Sequence, residues 1–254
     1  MKYIKVFFIV LLSVVGLQLY SQELEQPTVE EESDWSFGAN AGFSNKYLWR
    51  GMVFNNGLVF QPEVFVGWRD FSINLWSNTT LYDKKGVNAH EIDITLDYYH
   101  SFTSLDFETY FSYYNYIDQE DVPNTVEWNI SAFYPIGDFT LSSSLNIDVL
   151  ENPGASYLEV ALDYERELNE KFTVSGKILA GLGSEKFNAY NLDIAKGALN
   201  LVGGNVGFSY NFLADFYADV NFYQNLFVDK ELKNSDIVKG VSSNAFELIL
   251  RKEF

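Results

Sequence analysis

Most of the groups able to do chemistry in this 254-residue chain are carboxylates: 35 Asp and Glu stand against 17 Lys and Arg, with two His and no Cys, for a formal net charge of −18. Without Cys there is no thiol nucleophile, no disulfide framework and no Cys-based zinc module. A nucleic-acid duplex would be repelled rather than held. Cations and uncharged solutes are the partners that such a surplus of negative charge favours. The His90-Glu91-Ile92-Asp93 segment alternates its faces and offers no second His at ligand spacing, so no metal site is expected. The loop acids Asp118, Glu120 and Asp121 are not framed by a calcium-loop pattern, and no cofactor is expected either. A hydrolytic site would need Ser and His within reach, with a third group to orient the imidazole. His100 stands beside Ser101 in a short connection, which leaves only His90 with Ser77 or Thr79, and neither His is in a His-x-Ser arrangement. A lipid-modifying enzyme is therefore the weakest reading, and the chain is read as a non-enzyme.

What the carboxylates do depends on the face they occupy, and the chain specifies faces with a period of two. Trp35, Phe37, Ala39, Ala41 and Phe43 alternate with Ser36, Gly38, Asn40, Gly42 and Ser44. The same alternation sets Ile92, Ile94, Leu96 and Tyr98 against Asp93, Thr95, Asp97 and Tyr99, and Val126, Trp128, Ile130 and Ala132 against Glu127, Asn129 and Ser131. Strict alternation is the mark of strands with one apolar and one polar face. Twelve such segments in about 220 residues leave roughly 18 residues per strand and connection, which suits membrane strands of ~9 to 11 residues. Connections are short around residues 69–70, 101–104, 135–138, 167–171 and 212–215, and long at 45–57, 79–90, 116–124, 150–155, 182–198 and 224–243. The expected fold is an all-β, 12-stranded antiparallel transmembrane outer-membrane β-barrel over residues 35–254, with both ends on the short-turn side.

Ahead of it, residues 1–21 read as a signal peptide, with Lys2 and Lys5 before an apolar run too short to span a bilayer as a helix. Residues 22–34 read as an acidic disordered leader. A secreted β-sandwich would alternate in the same way. The placement of aromatic residues favours the membrane, because Trp35, Tyr47, Trp49, Trp68, Tyr98, Trp128, Tyr134, Tyr164 and Phe254 fall where interfacial girdles belong. Phe254, ending the last strand, resembles the terminal aromatic signature of proteins handed to the outer-membrane assembly machinery.

The segment Ser44-Asn45-Lys46-Tyr47-Leu48-Trp49-Arg50-Gly51, followed by a second strand and Gly67-Trp68, resembles the start of the TorF-type (Gcw_chp-like) outer-membrane porin family. The motif covers eight residues, and the remaining likeness is the alternating layout itself. The resemblance implies a channel-like barrel and no named substrate. Carrying the parity of the first strand onward sends Tyr47 and Trp49 to the lipid and Lys46 and Arg50 to the lumen. Arg50 would then be either one pole of a transverse field or half of a structural ion pair.

The same register lines the lumen with Glu63, Asp93, Asp97, Glu108, Glu127, Asp148, Glu159, Asp163, Asp219 and Glu247, against Arg50, Lys177 and Arg251. Rings of carboxylates attract cations and exclude anions. Phe65, Trp76, Tyr99, Tyr110, Tyr114, Tyr157, Tyr217 and Tyr223 also face inward, either as a stacking platform for a solute or simply as lumen filling. The expectation is a porin-like passive diffusion channel for small cationic or neutral solutes in the outer membrane of a Gram-negative bacterium, with periplasmic termini. Its surroundings would be outer-membrane lipid and lipopolysaccharide, and nucleic acid is not a partner. The alternative is a non-conducting structural or ligand-binding barrel.

Overall fold

The computed structural model describes residues 33–82, 89–119 and 122–254. The expected signal peptide, the leader up to residue 32 and the loop acids Glu120 and Asp121 lie outside the described residues. From Trp35 the chain forms β1 (Trp35–Ser44), then two short strands β2 (Tyr47–Trp49) and β3 (Met52–Asn55), then β4 (Val59–Trp68) and β5 (Phe71–Thr80). β6 (His90–Ser101), β7 (Asp106–Ile117), β8 (Thr125–Ile136), β9 (Phe139–Asp148), β10 (Ser156–Asn169) and β11 (Phe172–Gly183) follow. A helix α1 (Glu185–Leu192) precedes β12 (Ala198–Leu213) and β13 (Phe216–Phe227), and a 3-10 turn (Leu232–Asn234) precedes β14 (Asn244–Glu253).

Twelve of these strands close a barrel, each hydrogen-bonded antiparallel to its neighbours, with β1 lying between β4 and β14. Closure abolishes the sheet edge. The register Gly38↔Glu253 to Ser44↔Glu247 seals the seam, and the Phe254 amide adds a bond to the Phe37 carbonyl at 2.9 Å. β1 begins and β14 ends at the rim that carries the short turns. Those turns use left-handed residues where two antiparallel strands meet tightly, among them Arg69, Gly137 and Asp215.

The apolar faces of the barrel strands point outward. Ile178 is 66% exposed and Val206 62%, and Ile73, Leu96, Phe111 and Leu250 on the same outer surface are also exposed. A soluble sandwich would bury this face, whereas here many polar side chains are buried on the opposite one, among them Asn129, Ser131, Asn146, Glu127 and Asp148. Asn129 Nδ2 donates to Ser144 Oγ at 2.8 Å and to Asn146 Oδ1 at 3.0 Å, which ties β8 to β9 on the lumen side. At the short-turn rim the outward rings pack across strands, with Trp35 against Trp68, Phe71 against Tyr98 and Phe139 against Tyr164. Tyr134 is exposed at the same rim, and Trp128 stacks on Phe111 toward the opposite end.

Tyr47 and Trp49 depart from the expected girdle. The chain does not continue outward past Ser44. Residues 45–57 turn into the barrel as the β2–β3 hairpin, where Tyr47 is buried and Trp49 half-buried. The parity of β1 does not propagate through a turn, and aromatic rings can leave water inside a lumen as well as in lipid. At the hairpin tip Arg50 and Gly51 have successive φ values of 48° and 78°, the backbone signature that a two-residue I′ hairpin turn requires. Gly51 is needed twice over, since a Cβ there would also lie 2.5 Å from Leu201 Cδ2.

Candidate functional site

The lumen is shaped by the hairpin that hangs into it from β1 and β4. Lys46 anchors its entry by donating to Ser242 O and Asn244 Oδ1, both at 2.7 Å, and Asn55 anchors its exit by donating to Thr80 Oγ1 at 3.1 Å. From the tip, Arg50 reaches β8 and donates from Nη1 and Nη2 to Glu127 Oε1 and Oε2 at 2.7 and 2.6 Å. Tyr114 adds a third donor to Glu127 Oε2 at 3.1 Å. The guanidinium carbon lies 4.2 Å from the Trp49 ring centre, 5.0 Å from Tyr157 and 5.4 Å from Phe187. Bidentate pairing and aromatic stacking together are a use of Arg that Lys could not reproduce. Of the two readings left open for Arg50, the geometry is that of an ion pair bracing the hairpin to the wall.

On the long-loop side the hairpin and the loops share a small apolar core. Met52 packs with Tyr157 and Phe227 of the wall, Phe187 and Leu192 of α1, and Leu232 of the 3-10 turn. Tyr157 can lie this close to the wall because residue 181 is Gly: a Cβ there would fall 1.8 Å from the tyrosine hydroxyl. The two loops are clasped by Lys196, which donates to Asp229 Oδ2 at 2.8 Å and Glu231 Oε1 at 2.9 Å. These hydrogen bonds hold the Asp229 carboxyl below its ordinary range and raise Lys196 above its own.

Among the described residues, one cavity lies on each side of the Arg50–Glu127 pair. The larger, about 600 Å³, runs from the hairpin toward the short-turn end and is lined by Arg50, Glu159, Asp163, Lys177, Tyr223 and Glu247 among others. The smaller, about 270 Å³, opens at the long-loop end, with Glu91, Glu127 and Asp148 among its lining residues. Arg50 faces the first and Glu127 the second, so their ion pair stands between the two.

The strand register puts all the carboxylates named above, Glu63 to Glu247, on the inner surface, but their surroundings differ. Lys177 Nζ lies 3.2 Å from Asp163 Oδ1 and 3.7 Å from Glu159 Oε1, and Arg251 Nε donates to Asp219 Oδ2 at 3.2 Å. Asp148 accepts from Thr125 Oγ1 and from the amides of Leu150 and Asn152, a loop-capping role. Glu63 accepts from Asn40 and Asn74, Glu247 from Asn221 and Tyr223, and Asp97 from Ser72, with no cation in these pairings. Glu108 shares the inner face of β7 with Tyr110. The inner surface also carries Glu91, which sequence reasoning overlooked. It accepts from Tyr47 OH at 2.6 Å and sits two residues before Asp93.

The inward aromatic residues do not assemble into one platform. Among the described residues no ring contact joins two of the eight. Tyr110 donates to Asn146 and Tyr223 to Glu247, Tyr217 lies under Arg251 and Tyr157 under Arg50, while Trp76 packs on Tyr47. Phe65 covers Gly38, and Tyr99 stands exposed toward the short-turn rim. No hydrogen bond joins His90 to Ser77 or Thr79 among the described residues, and His100 Nδ1 pairs instead with Asp70 Oδ2 at 2.7 Å.

No protein-family model and no curated protein sequence matches the chain. Solved structures do. The KdgM porin, alone and in complex with disordered oligogalacturonate, matches with TM-scores of 0.53 and 0.54 at 10% and 9% identity, covering 86% of this chain and 99% of that one. The NanC porin matches with a TM-score of 0.55 at 9% identity, covering 85% and 98%. At such identities the likeness is one of fold: a closed 12-stranded antiparallel barrel shared with porins.

Proposed function

We propose that this chain is a passive diffusion channel of the outer membrane that favours small cationic and neutral solutes. The single observation that carries the reading is the set of inner-face carboxylates with no cation partner among the described residues, Glu63, Asp97 and Glu247 foremost, around a lumen with open space on both sides of the hairpin. Fixed negative charge on low-dielectric walls raises the local concentration of cations. The barrel's likeness to porins and the resemblance of residues 44–51 to the TorF-type family support the same reading. So does the apolar outer belt, which needs lipid around it. In this reading the short turns and the barrel termini face the periplasm, and the Phe254 strand is what the assembly machinery takes up.

Selectivity is tested by planar-bilayer conductance, with the reversal potential measured across a KCl gradient. The variant to use is Glu63→Gln/Glu247→Gln, because neither residue braces a cation, whereas changing Glu127 or Asp163 would also release Arg50 or Lys177. The wild-type chain is expected to prefer K⁺, and the double variant to move the reversal potential toward zero. Silence from a well-folded barrel would leave the non-conducting role instead.

A further inference from the structure

The cavity at the long-loop end differs in chemistry from the rest of the lumen. Aromatic rings are concentrated in its walls: Tyr47, Trp49, Phe54, Tyr116 and Tyr190 line it together with Glu91. Three of these rings form a continuous surface, with Tyr47 and Phe54 centres 5.6 Å apart and Phe54 and Trp49 centres 5.7 Å apart. The surface already holds one cation, since Trp49 carries the Arg50 guanidinium at 4.2 Å. Beside it lies a pair of acids on one strand face. Glu91 is buried, lines the cavity and is bonded by Tyr47, and Asp93, 8% exposed, stands two residues on along the same face without lining the cavity itself. Neither forms an ion pair among the described residues, although Arg50, Lys177 and Arg251 are each committed to other carboxylates. Neighbouring carboxylates are costly to ionise together, and an external positive charge relieves that cost.

We propose that this cavity binds a small organic cation, an ammonium head on a compact apolar body, with the head set against Glu91 and the body on the faces of Tyr47, Phe54 and Trp49. Aromatic faces attract cations through their quadrupole, and they do so most strongly where water is excluded. A bare metal ion fits less well, because among the described residues no three His, Cys, Asp or Glu converge as ligands. An anion would meet Glu91, Glu127 and Asp148. The inference deepens the channel reading by naming a class of solute, but binding is measured separately from conduction.

The test is calorimetric titration of the refolded full chain in detergent with choline, and with its uncharged carbon isostere 3,3-dimethylbutan-1-ol. Choline is expected to bind at least about tenfold more tightly than the isostere. In Glu91→Gln/Asp93→Asn that preference is expected to fall to near parity. The comparison of the two ligands on the unaltered chain needs no variant to fold. Equal affinity for the two ligands, no binding of either, or a preference unchanged in a folded double variant would each overturn the proposal. K⁺ conduction without choline binding would overturn this inference and leave the channel reading standing. Choline binding by a silent barrel would do the reverse.

Discussion

At the scale of single residues the most consequential pair is Arg50 and Glu127, whose side chains are 10% and 7% exposed. Taking two charges out of water is costly, and removing one of them leaves the other uncompensated. Glu127→Gln is therefore expected to destabilise the seated hairpin by roughly 3–5 kcal/mol. In the double variant Arg50→Met/Glu127→Gln much of that loss is expected to return, because no buried charge is left unpaired. Denaturant unfolding of the two singles and the double, arranged as a double-mutant cycle, measures the coupling. If the singles and the double lose equally little, the pair does not brace the hairpin. The chain offered Arg50 as a cation amid alternating acids, but the strand parity used to place it does not pass through the turn after Ser44. Its partner was not legible, since Glu127 lies 77 positions away and only the path of the hairpin brings the two together.

At the scale of elements, the β2–β3 hairpin, α1 and the loop with the 3-10 turn share one apolar core. Its loop half is held by the exposed Lys196 clasp. The Asp229 carboxyl lies below its unfolded value, so its contribution is present above about pH 4 and fades as the pH falls through the depressed value. Lys196 lies above its own unfolded value, so its contribution is present below about pH 10 and fades above that. Limited proteolysis across pH is expected to show residues 228–243 protected between these limits and cut more readily below pH 4, with Lys196→Met abolishing the acid dependence. Protection that ignores pH in the unaltered chain would mean that the apolar core around Leu232 alone holds the loop. The hairpin itself had a sequence signal: two short apolar runs, Tyr47-Leu48-Trp49 and Met52-Val53-Phe54, flank Arg50-Gly51. Reading residues 45–57 as an undivided loop hid it.

At the scale of the whole molecule, a closed barrel with every strand paired to two neighbours has no place to begin unravelling, and its outer belt is satisfied only by lipid or detergent. The refolded chain is expected to give strand-rich circular dichroism and to change its gel mobility on boiling. Absence of both would sink the barrel. The chain by itself determined the strand count and the alternation of faces, because a period of two carries face information through an unbroken strand and closure follows from an even set of long strands. It also determined the two ends of the barrel, through the alternation of short and long connections. Where a connection goes was decided only in three dimensions. Residues 45–57 carry aromatic rings that lipid and lumen would both accept, and the lumen takes them because Lys46, Asn55 and Arg50 each find a partner there. Burying those polar groups against lipid would have left them unpaired. The same turn inward carried Tyr47 to Glu91 and made one cavity into two.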